Sequence, residues 1–312
     1  MSITVFGSLN MDLTAYVATL PRPGVTAHAQ NYTIGLGGKG ANQAVAAQRL
    51  SEQPVRLVAA IGADAFGIRA QELLAGFKVA TEQLRIMPEE DTGIALIHVD
   101  ANAQNTITVV GGANLAWPDK GPDPAVFRAT RIALFQLETP LPATLAAMQQ
   151  ARNAGARIIL DPAPAPDKTG DAEIQSLLEL ADIVTPNESE AESLTGLTVA
   201  DRRGALQAAH ALRARGAAAV VVKRGAQGLV YVDKDWNEGE ISPFKVATVD
   251  SVGAGDCFNG ALAVALTEGR PFQEALHFAA AAAALSTEKP GAAAAAPERT
   301  QVESLLRKKL SV

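Results

Sequence analysis

Short apolar runs alternate with longer amphipathic stretches along most of the chain. Ile3 to Phe6 is a β-branched and aromatic run halted at Gly7-Ser8, the pattern of a buried strand that ends in a turn and delivers Asn10 and Asp12. Between Ala15 and Ile34, Pro21, Pro23 and Gly24 break the apolar pieces into twisted hairpin strands. The glycine-dense loop Gly35 to Gly40 then opens a helix from Ala41 to Leu50, whose alanines permit close packing on a sheet. Val55 to Ile61 reads as a second buried strand, and Asp64 with Gly67 introduces a helix to about Phe77. From Thr81 to Asn114 the rhythm is interrupted: Ile94, Leu96 and His98, then Thr106 to Val110, are strand-like around the polar turn Asp100 to Asn105.

The alternation resumes with a strand at Arg131 to Leu137, a helix at Leu141 to Asn153, a strand at Arg157 to Leu160 and a helix around Ala172 to Leu180. Strands at Ile183 to Thr185 and Ala219 to Lys223 follow, then a hairpin pair near Gly228 to Val232 and Phe244 to Val249. Helices at Ala254 to Leu266, Pro271 to Leu285 and Arg299 to Leu310 fill the last third. The alanine run Ala279 to Ala284 belongs to an amphipathic helix, whereas Ala292 to Ala296, framed by Pro290-Gly291 and Pro297, reads as loop. Strand-helix alternation predicts an α/β protein with a parallel sheet covered on both faces. Without a long linker or internal repeat, residues 1–312 form one domain, with a non-contiguous β-insertion drawn from about 13–34 and 82–112.

Composition narrows the function classes. With 48% hydrophobic and 19% charged residues, the 312-residue chain is an ordinary globular protein. Its 27 basic and 33 acidic side chains leave a net charge of −6 and no long basic block, so neither nucleic acid nor an anionic membrane is an expected partner. The single cysteine makes no internal disulfide, and no apolar run approaches ~18 to 20 residues. A cytoplasmic setting is expected, without secretion or membrane insertion.

The most informative loop runs Val249-Asp250-Ser251-Val252-Gly253-Ala254-Gly255-Asp256 into helical sequence. Glycines 253 and 255 let successive amides point one way, and at a helix N-terminus they form an anion site that requires no lysine. Asp256 beside such a site suits a general base between a hydroxyl and a phosphoryl group, although a simple helix-start carboxylate is the commoner reading of such a position. Gly35-Leu36-Gly37-Gly38-Lys39-Gly40 contains G-x-G-x-x-G. It follows hairpin sequence rather than the first strand of a βαβ unit, however, and has no acidic residue ~20 positions on, which counts against a dinucleotide enzyme. With Lys39 and Asn42 it suits hydroxyls or a negative group, or a tight helix entry.

Gln136-Leu137-Glu138, Asp161-Pro162-Ala163-Pro164 and Pro186-Asn187-Glu188-Ser189-Glu190 end predicted strands at the carboxyl edge, where α/β proteins bind ligands. Such groups suit hydroxyl recognition and water-mediated Mg²⁺, and Asn187 with Glu190 also fits a helix capping box. The four histidines show no metal-ligand spacing, and Cys257 reads as a small buried residue.

Together with Gly7 to Asp12, Leu20-Pro21-Arg22-Pro23-Gly24, Gly37 to Ala44 and Phe258-Asn259-Gly260, these motifs resemble, in order and over nearly the whole chain, the PfkB family of sugar kinases. The resemblance implies a Rossmann-like parallel-sheet sandwich with a small β-sheet lid, transferring the ATP γ-phosphate to the 5-hydroxyl of D-ribose with Mg²⁺. It implies sugar contacts at Asn10, Asp12, Gly38, Lys39, Asn42 and Glu138, with Asp256 as catalytic base. Gly253, Ala254 and Gly255 match its anion hole. Lys223, Gly225 and Gly228 fall in its nucleotide loop, and Asn187 and Glu190 match positions that manage phosphate and hydrated Mg²⁺. Asp250 and Val252, with carbonyls near Thr287, Lys289 and Gly291, match a site for a monovalent cation such as K⁺.

Three departures from the family pattern stand out. Val222-Lys223-Arg224-Gly225 puts an amine where the family has a hydroxyl, Ala295 stands where a serine often faces the cation, and Asp100 to Asn105 replaces D-x-x-G-E-N. A kinase for deoxyribose, another sugar or a nucleoside is the nearest alternative; an NAD-dependent oxidoreductase and a non-catalytic sugar sensor are remoter ones. The apolar lid strand Ile94 to Ile97 has a face to cover, so a homodimer through the lids is expected.

Overall fold

In the computed structural model, residues 2–102, 104–165 and 171–310 are described. Ala103, in the predicted Asp100 to Asn105 turn, lies outside them. An eight-stranded sheet forms the centre, ordered Glu238–Ile241, Leu229–Val232, Val220–Lys223, Ile183–Val184, Arg157–Leu160, Ile132–Phe135, Ile3–Phe6 and Val55–Val58. The strands run parallel except at one edge, where Leu229–Val232 is antiparallel to both neighbours. Their apolar runs lie on two separate cores. Ile3, Val5 and Leu134 face the helices Lys39–Leu50, Ala254–Thr267 and Phe272–Ser286. Phe6, Phe135 and Leu160 face Leu141–Asn153, Asp171–Leu180 and Arg202–Ala214. This is the α/β sandwich expected of buried strands that are apolar throughout.

A second sheet of four strands carries Ala29–Gly37, Asn10–Val17, Gly93–Val99 and Asn105–Val110 in that order. Its strands begin at Asn10 and continue to Gly37, beyond the 13–34 bounds read from the sequence. Arg85–Met87, inside the expected 82–112 stretch, instead pairs with Ala60–Gly62 in a separate two-stranded sheet. The predicted strand Val55 to Ile61 is therefore two strands serving different sheets, a division the continuous apolar run conceals.

The predicted partner strand Phe244 to Val249 is not a strand. The side chain of Asp233 accepts from the amides of Asp235 and Asn237 and closes a tight turn. That turn lays Glu238–Ile241 against Leu229–Val232, and Pro243 interrupts any extension of the pairing. The helices Glu188–Thr195 and Arg202–Ala214 fill the stretch after Ile183–Val184. Ala293–Ala295 forms one 3₁₀ turn where loop was expected. Among the described residues, no helix is long and apolar enough to cross a membrane.

Two helices of the first core meet at backbone distance. A β-carbon on Gly260 would stand 2.7 Å from the Gln43 carbonyl oxygen and 2.8 Å from the Ala47 amide nitrogen. The alanines of Lys39–Leu50 and this glycine thus bring residues 42 and 43 beside Asp256. Gly260→Val is expected to lower stability by about 3 kcal/mol, the upper part of the overpacking range, read as a lower urea midpoint; an unchanged midpoint would show that the helices separate freely.

Candidate active site

Chain order reverses across the sheet beside Ile3–Phe6, whose neighbours are Val55–Val58 on one side and Ile132–Phe135 on the other. At such a switch point the connections leave in opposite directions and open a crevice at the carboxyl ends of the strands. Residues following five strands converge there: Ser8 and Asn10 after the first, Glu138 after Ile132–Phe135, Asp161 after Arg157–Leu160, Asn187 after Ile183–Val184, and Lys223 at the end of its own strand.

Asp256 occupies the first turn of the helix Ala254–Thr267, behind the cap residue Gly253, which adopts a left-handed φ of 75° and offers no side-chain cap. A β-carbon there would also strike Ala292 at 2.6 Å, so glycine is required for both conformation and space. The Ala254 amide leans to the Ser251 carbonyl at 3.3 Å, and the turn otherwise presents its amides without a capping side chain. Asp256 is only 5% exposed. Its carboxylate accepts from Asn42 Nδ2 at 3.0 Å and from Gln43 Nε2 at 3.1 Å. Burial pushes its pKa up to about 6, against the pull of Lys39 and these two amides and with help from Asp161.

Gln43 Nε2 also donates to Asp161 Oδ2 at 3.0 Å, while Gln136 Nε2 donates to Gln43 Oε1 at 2.6 Å. One side-chain amide thus fixes two buried carboxylates and is itself fixed from behind. Asn42 Oδ1 is buried without a hydrogen-bond partner, an acceptor open toward the site.

On the other side of Asp256, Asp12 is half-buried and its pKa is pushed up to about 7, by burial first and then by the charges of Glu138 and Asp256. Glu138 Oε2 accepts from the Lys39 backbone amide at 2.9 Å and from the Ser8 hydroxyl. Asn10 is held through Asn114, which donates to its Oδ1 at 2.8 Å and exchanges hydrogen bonds with the Leu9 backbone. Gly37 leaves room for Asp12, since a β-carbon would overlap its carboxylate at 1.9 Å; Gly38, at φ 83°, lies against the Leu9–Asn10 backbone. Lys39 is the cation among these acids. Burial works against its charge, but Asp256, Asp161, Glu138 and Glu190 outweigh it and hold the lysine above its usual range.

Asn187 caps Glu188–Thr195 in a full capping box: Glu190 N donates to Asn187 Oδ1 at 2.8 Å, and Glu190 Oε2 accepts from Asn187 N at 2.7 Å. Burial raises the pKa of Glu190, opposed by Lys223 and reinforced by Asp161. Gly225 and Gly228 both take positive φ in the turn after Lys223, where Arg224 N donates to Gly228 O at 2.8 Å.

The expected cation loop is ordered through Asp250, whose carboxylate accepts from Val252 N at 3.0 Å and Gly291 N at 2.9 Å. The Thr287 carbonyl, expected to face a cation, instead accepts the Val249 and Asp250 amides at 2.7 and 3.0 Å, so its lone pairs serve the loop itself. Cys257 is buried, its thiol pushed up to about 12 mainly by that burial.

Gln43, Asn114 and Ser8 are not assigned a site role from the sequence, and Asp161 enters there only as part of the carboxyl-edge cluster Asp161 to Pro164. A glutamine next to Asn42 within the small-residue helix stretch Ala41 to Ala47 is the signal in the sequence that could mark Gln43; Asn114 carries no local signal, because its partners are Leu9 and Asn10.

A buried carboxylate beside an uncapped helix start, flanked by Asn10, Asp12 and Glu138 and by Lys39 and Lys223, is an arrangement suited to phosphoryl transfer. The sequence profile of the pfkB family carbohydrate kinases matches residues 1–299, and the chain belongs to that family. It is 39% identical over 307 residues to the ribokinase of Haemophilus influenzae, covering 98% of both chains. The solved structure of Arabidopsis thaliana ribokinase complexed with ribose and ATP superposes with a TM-score of 0.90 at 34% identity, over 98% of each chain. A deoxyribokinase of Salmonella typhi is 32% identical over 308 residues, covering 98% of this chain and 99% of its own.

Two of the raised carboxyl groups, Asp256 and Asp12, make stability pH-dependent. Against an ordinary value of 3.8, Asp256 near 6 and Asp12 near 7 hold protons in the folded chain that the unfolded chain releases. Their contribution is therefore complete below about pH 4 and is lost as pH rises through 6 and 7. Melting temperatures measured from pH 5 to 8 should fall less steeply for Asp12→Asn and Asp256→Asn than for the wild type; equal slopes would count against this titration.

Proposed function

We propose that the protein is an ATP-dependent ribokinase, phosphorylating D-ribose at its 5-hydroxyl to give ribose 5-phosphate and ADP. The observation that carries this reading is Asp256, buried between Asn42 and Gln43 at the start of an uncapped helix, with hydroxyl-binding groups on one side of it. Asn10, Asp12, Asn42, Glu138 and the Gly38 backbone orient the sugar, and Lys39 adds positive charge beside them. Asp256 takes the proton of the attacking hydroxyl. The amides from Gly253 to Asp256 stabilise the transferred phosphoryl group, so that positioning and electrostatics supply most of the rate. The nucleotide lies along Asn187, Lys223, Gly225, Gly228 and Gly255.

No group of three or more His, Cys, Asp or Glu converges on a metal position among the described residues. Glu190, beside Asn187 and Lys223, is the carboxylate that Mg²⁺ carried on the phosphates would reach through water. Bound there, Mg²⁺ would neutralise phosphate charge. A monovalent cation such as K⁺ sits against the carbonyls of Asp250, Val252, Lys289 and Gly291, without Thr287 and without a hydroxyl from residue 295.

The four-stranded sheet acts as a lid over the sugar and excludes water. On the face opposite Asp12, Tyr32, Ile34 and Leu96 are 73%, 46% and 38% exposed, apolar surface suited to a second copy in a homodimer. The setting is cytoplasmic, where ATP is supplied and the lone thiol stays unpaired.

A panel of ribose, deoxyribose, other sugars and nucleosides in an ADP-release assay tests the acceptor: ribose should give the highest kcat/KM, and a better substrate elsewhere would replace it. In the same assay, exchanging K⁺ for tetramethylammonium should lower turnover; unchanged turnover would count against the cation site. Asp256→Asn should lower kcat by about 10² to 10⁴ with sugar binding by calorimetry retained, and full activity would remove Asp256 as base. Light scattering at micromolar concentration should give a dimer; a monomer would count against lid pairing.

A further inference from the structure

Lys223 is a cation in an unusual position. Its Nζ lies 3.3 Å from where a β-carbon on Gly255 would stand, against the bare backbone of the first turn of Ala254–Thr267. That end of a helix carries partial positive charge and disfavours an ammonium. The side chain is nonetheless only 15% exposed, held by Asp161 at 2.9 Å, whose own side chain is 2% exposed. The strand anchors the base of the lysine as well, its backbone amide donating to the Pro186 carbonyl at 2.8 Å. Asp161 cannot swing away freely, because its other oxygen is tied at 3.0 Å to Gln43, which also holds Asp256. A cation facing like partial charge across a glycine-sized gap, restrained from behind, is arranged for an anion to enter between them.

We propose that Lys223 is a catalytic residue that clamps the transferred phosphoryl group against the Gly255 turn, with Asp161 as its positioning residue. This rests on the kinase reading above. In the step, the sugar oxygen bonds to the γ-phosphorus while that phosphorus loses its bond to the β–γ bridging oxygen. The electron pair departs with ADP, the hydroxyl proton passes to Asp256, and the Lys223 ammonium keeps its protons. Its charge acts where the equatorial oxygens gather, which is where preorganised donors contribute most. The Asp161–Gln43–Asp256 chain ties both the clamp and the base to one side-chain amide.

The test compares Lys223→Met, Lys223→Arg, Asp161→Asn and the double variant Lys223→Met/Asp161→Asn with the wild type, by steady-state kinetics on the best sugar of the panel and by calorimetry. Wild-type turnover checks the kinase reading itself, and only the ratios between variants bear on Lys223. Lys223→Met should lower kcat about 100-fold with sugar KM changed less than about threefold. It should weaken binding of ADP with tetrafluoroaluminate and sugar, a mimic of the transferred group, by a similar factor, while ADP alone binds nearly as before. Lys223→Arg should recover part of the loss, and Asp161→Asn should cost about tenfold in kcat. The double variant leaves no unpaired buried charge, so it should fold, bind sugar and remain about 100-fold slow. Recovery of the double variant to within threefold of wild type would overturn the proposal, since the damage would then come from an unpaired Asp161 alone. So would loss of sugar binding in step with kcat, or equal weakening of ADP and of the ADP–tetrafluoroaluminate complex.

Discussion

Everything at the carboxyl edge of the sheet depends on how one glutamine amide is shared. Gln43 Nε2 lies 3.0 Å from Asp161 and 3.1 Å from Asp256, and Gln136 fixes its carbonyl end at 2.6 Å. Two carboxylates buried this close repel each other and lose hydration, so each needs donors that do not move. The amide supplies them from a helix that reaches the site only because Gly260 lets two helices touch at backbone distance. Packing in the first core and electrostatics at the site are therefore one constraint. A change in helix separation would alter the environment of Asp256 before it altered the fold.

The acidic groups then sort themselves by surroundings. Asp256 and Asp12 are pushed upward mainly by burial, whereas Glu138 meets the Lys39 amide and the Ser8 hydroxyl, and Asp161 meets Lys223. A net charge of −6 across the chain makes this local arrangement necessary. An acidic protein offers an anion no overall attraction, so what this edge presents to one is local: oriented amides and lysines held by carboxylate partners. Glycines at 37 and 253 give the edge its close approaches, since a β-carbon would meet Asp12 at the first and Ala292 at the second.

Much of this could be read along the chain. The strands Ile3–Phe6, Arg157–Leu160 and Leu229–Val232 and the helices Leu141–Asn153 and Ala254–Thr267 follow from apolar periodicity, because a buried strand or helix face must be filled wherever it lies. Asp256 and the Gly253 turn were visible because their chemistry is local: a few consecutive residues shape a helix start. Other features depended on partners distant in sequence. The split of Val55 to Ile61 between two sheets, the choice of Glu238–Ile241 over Phe244 to Val249 as hairpin strand, and the use of the Thr287 carbonyl by its own loop were all decided by competing hydrogen-bond partners.

What the sequence determined by itself was the alternation of elements, the acidic balance, and the local turns that expose amides at Gly253 and cap a helix at Asn187, since each depends on neighbours within a few residues. Only the tertiary structure decided that Gln43 joins Asp161 to Asp256, that Asn114 holds Asn10, and that Lys223 rests on Gly255 with Asp161 behind it. These pairs are separated by up to 213 positions in the chain. Their distances are set by how strands order in a sheet and how closely helices pack across it, and no short stretch of residues carries that information.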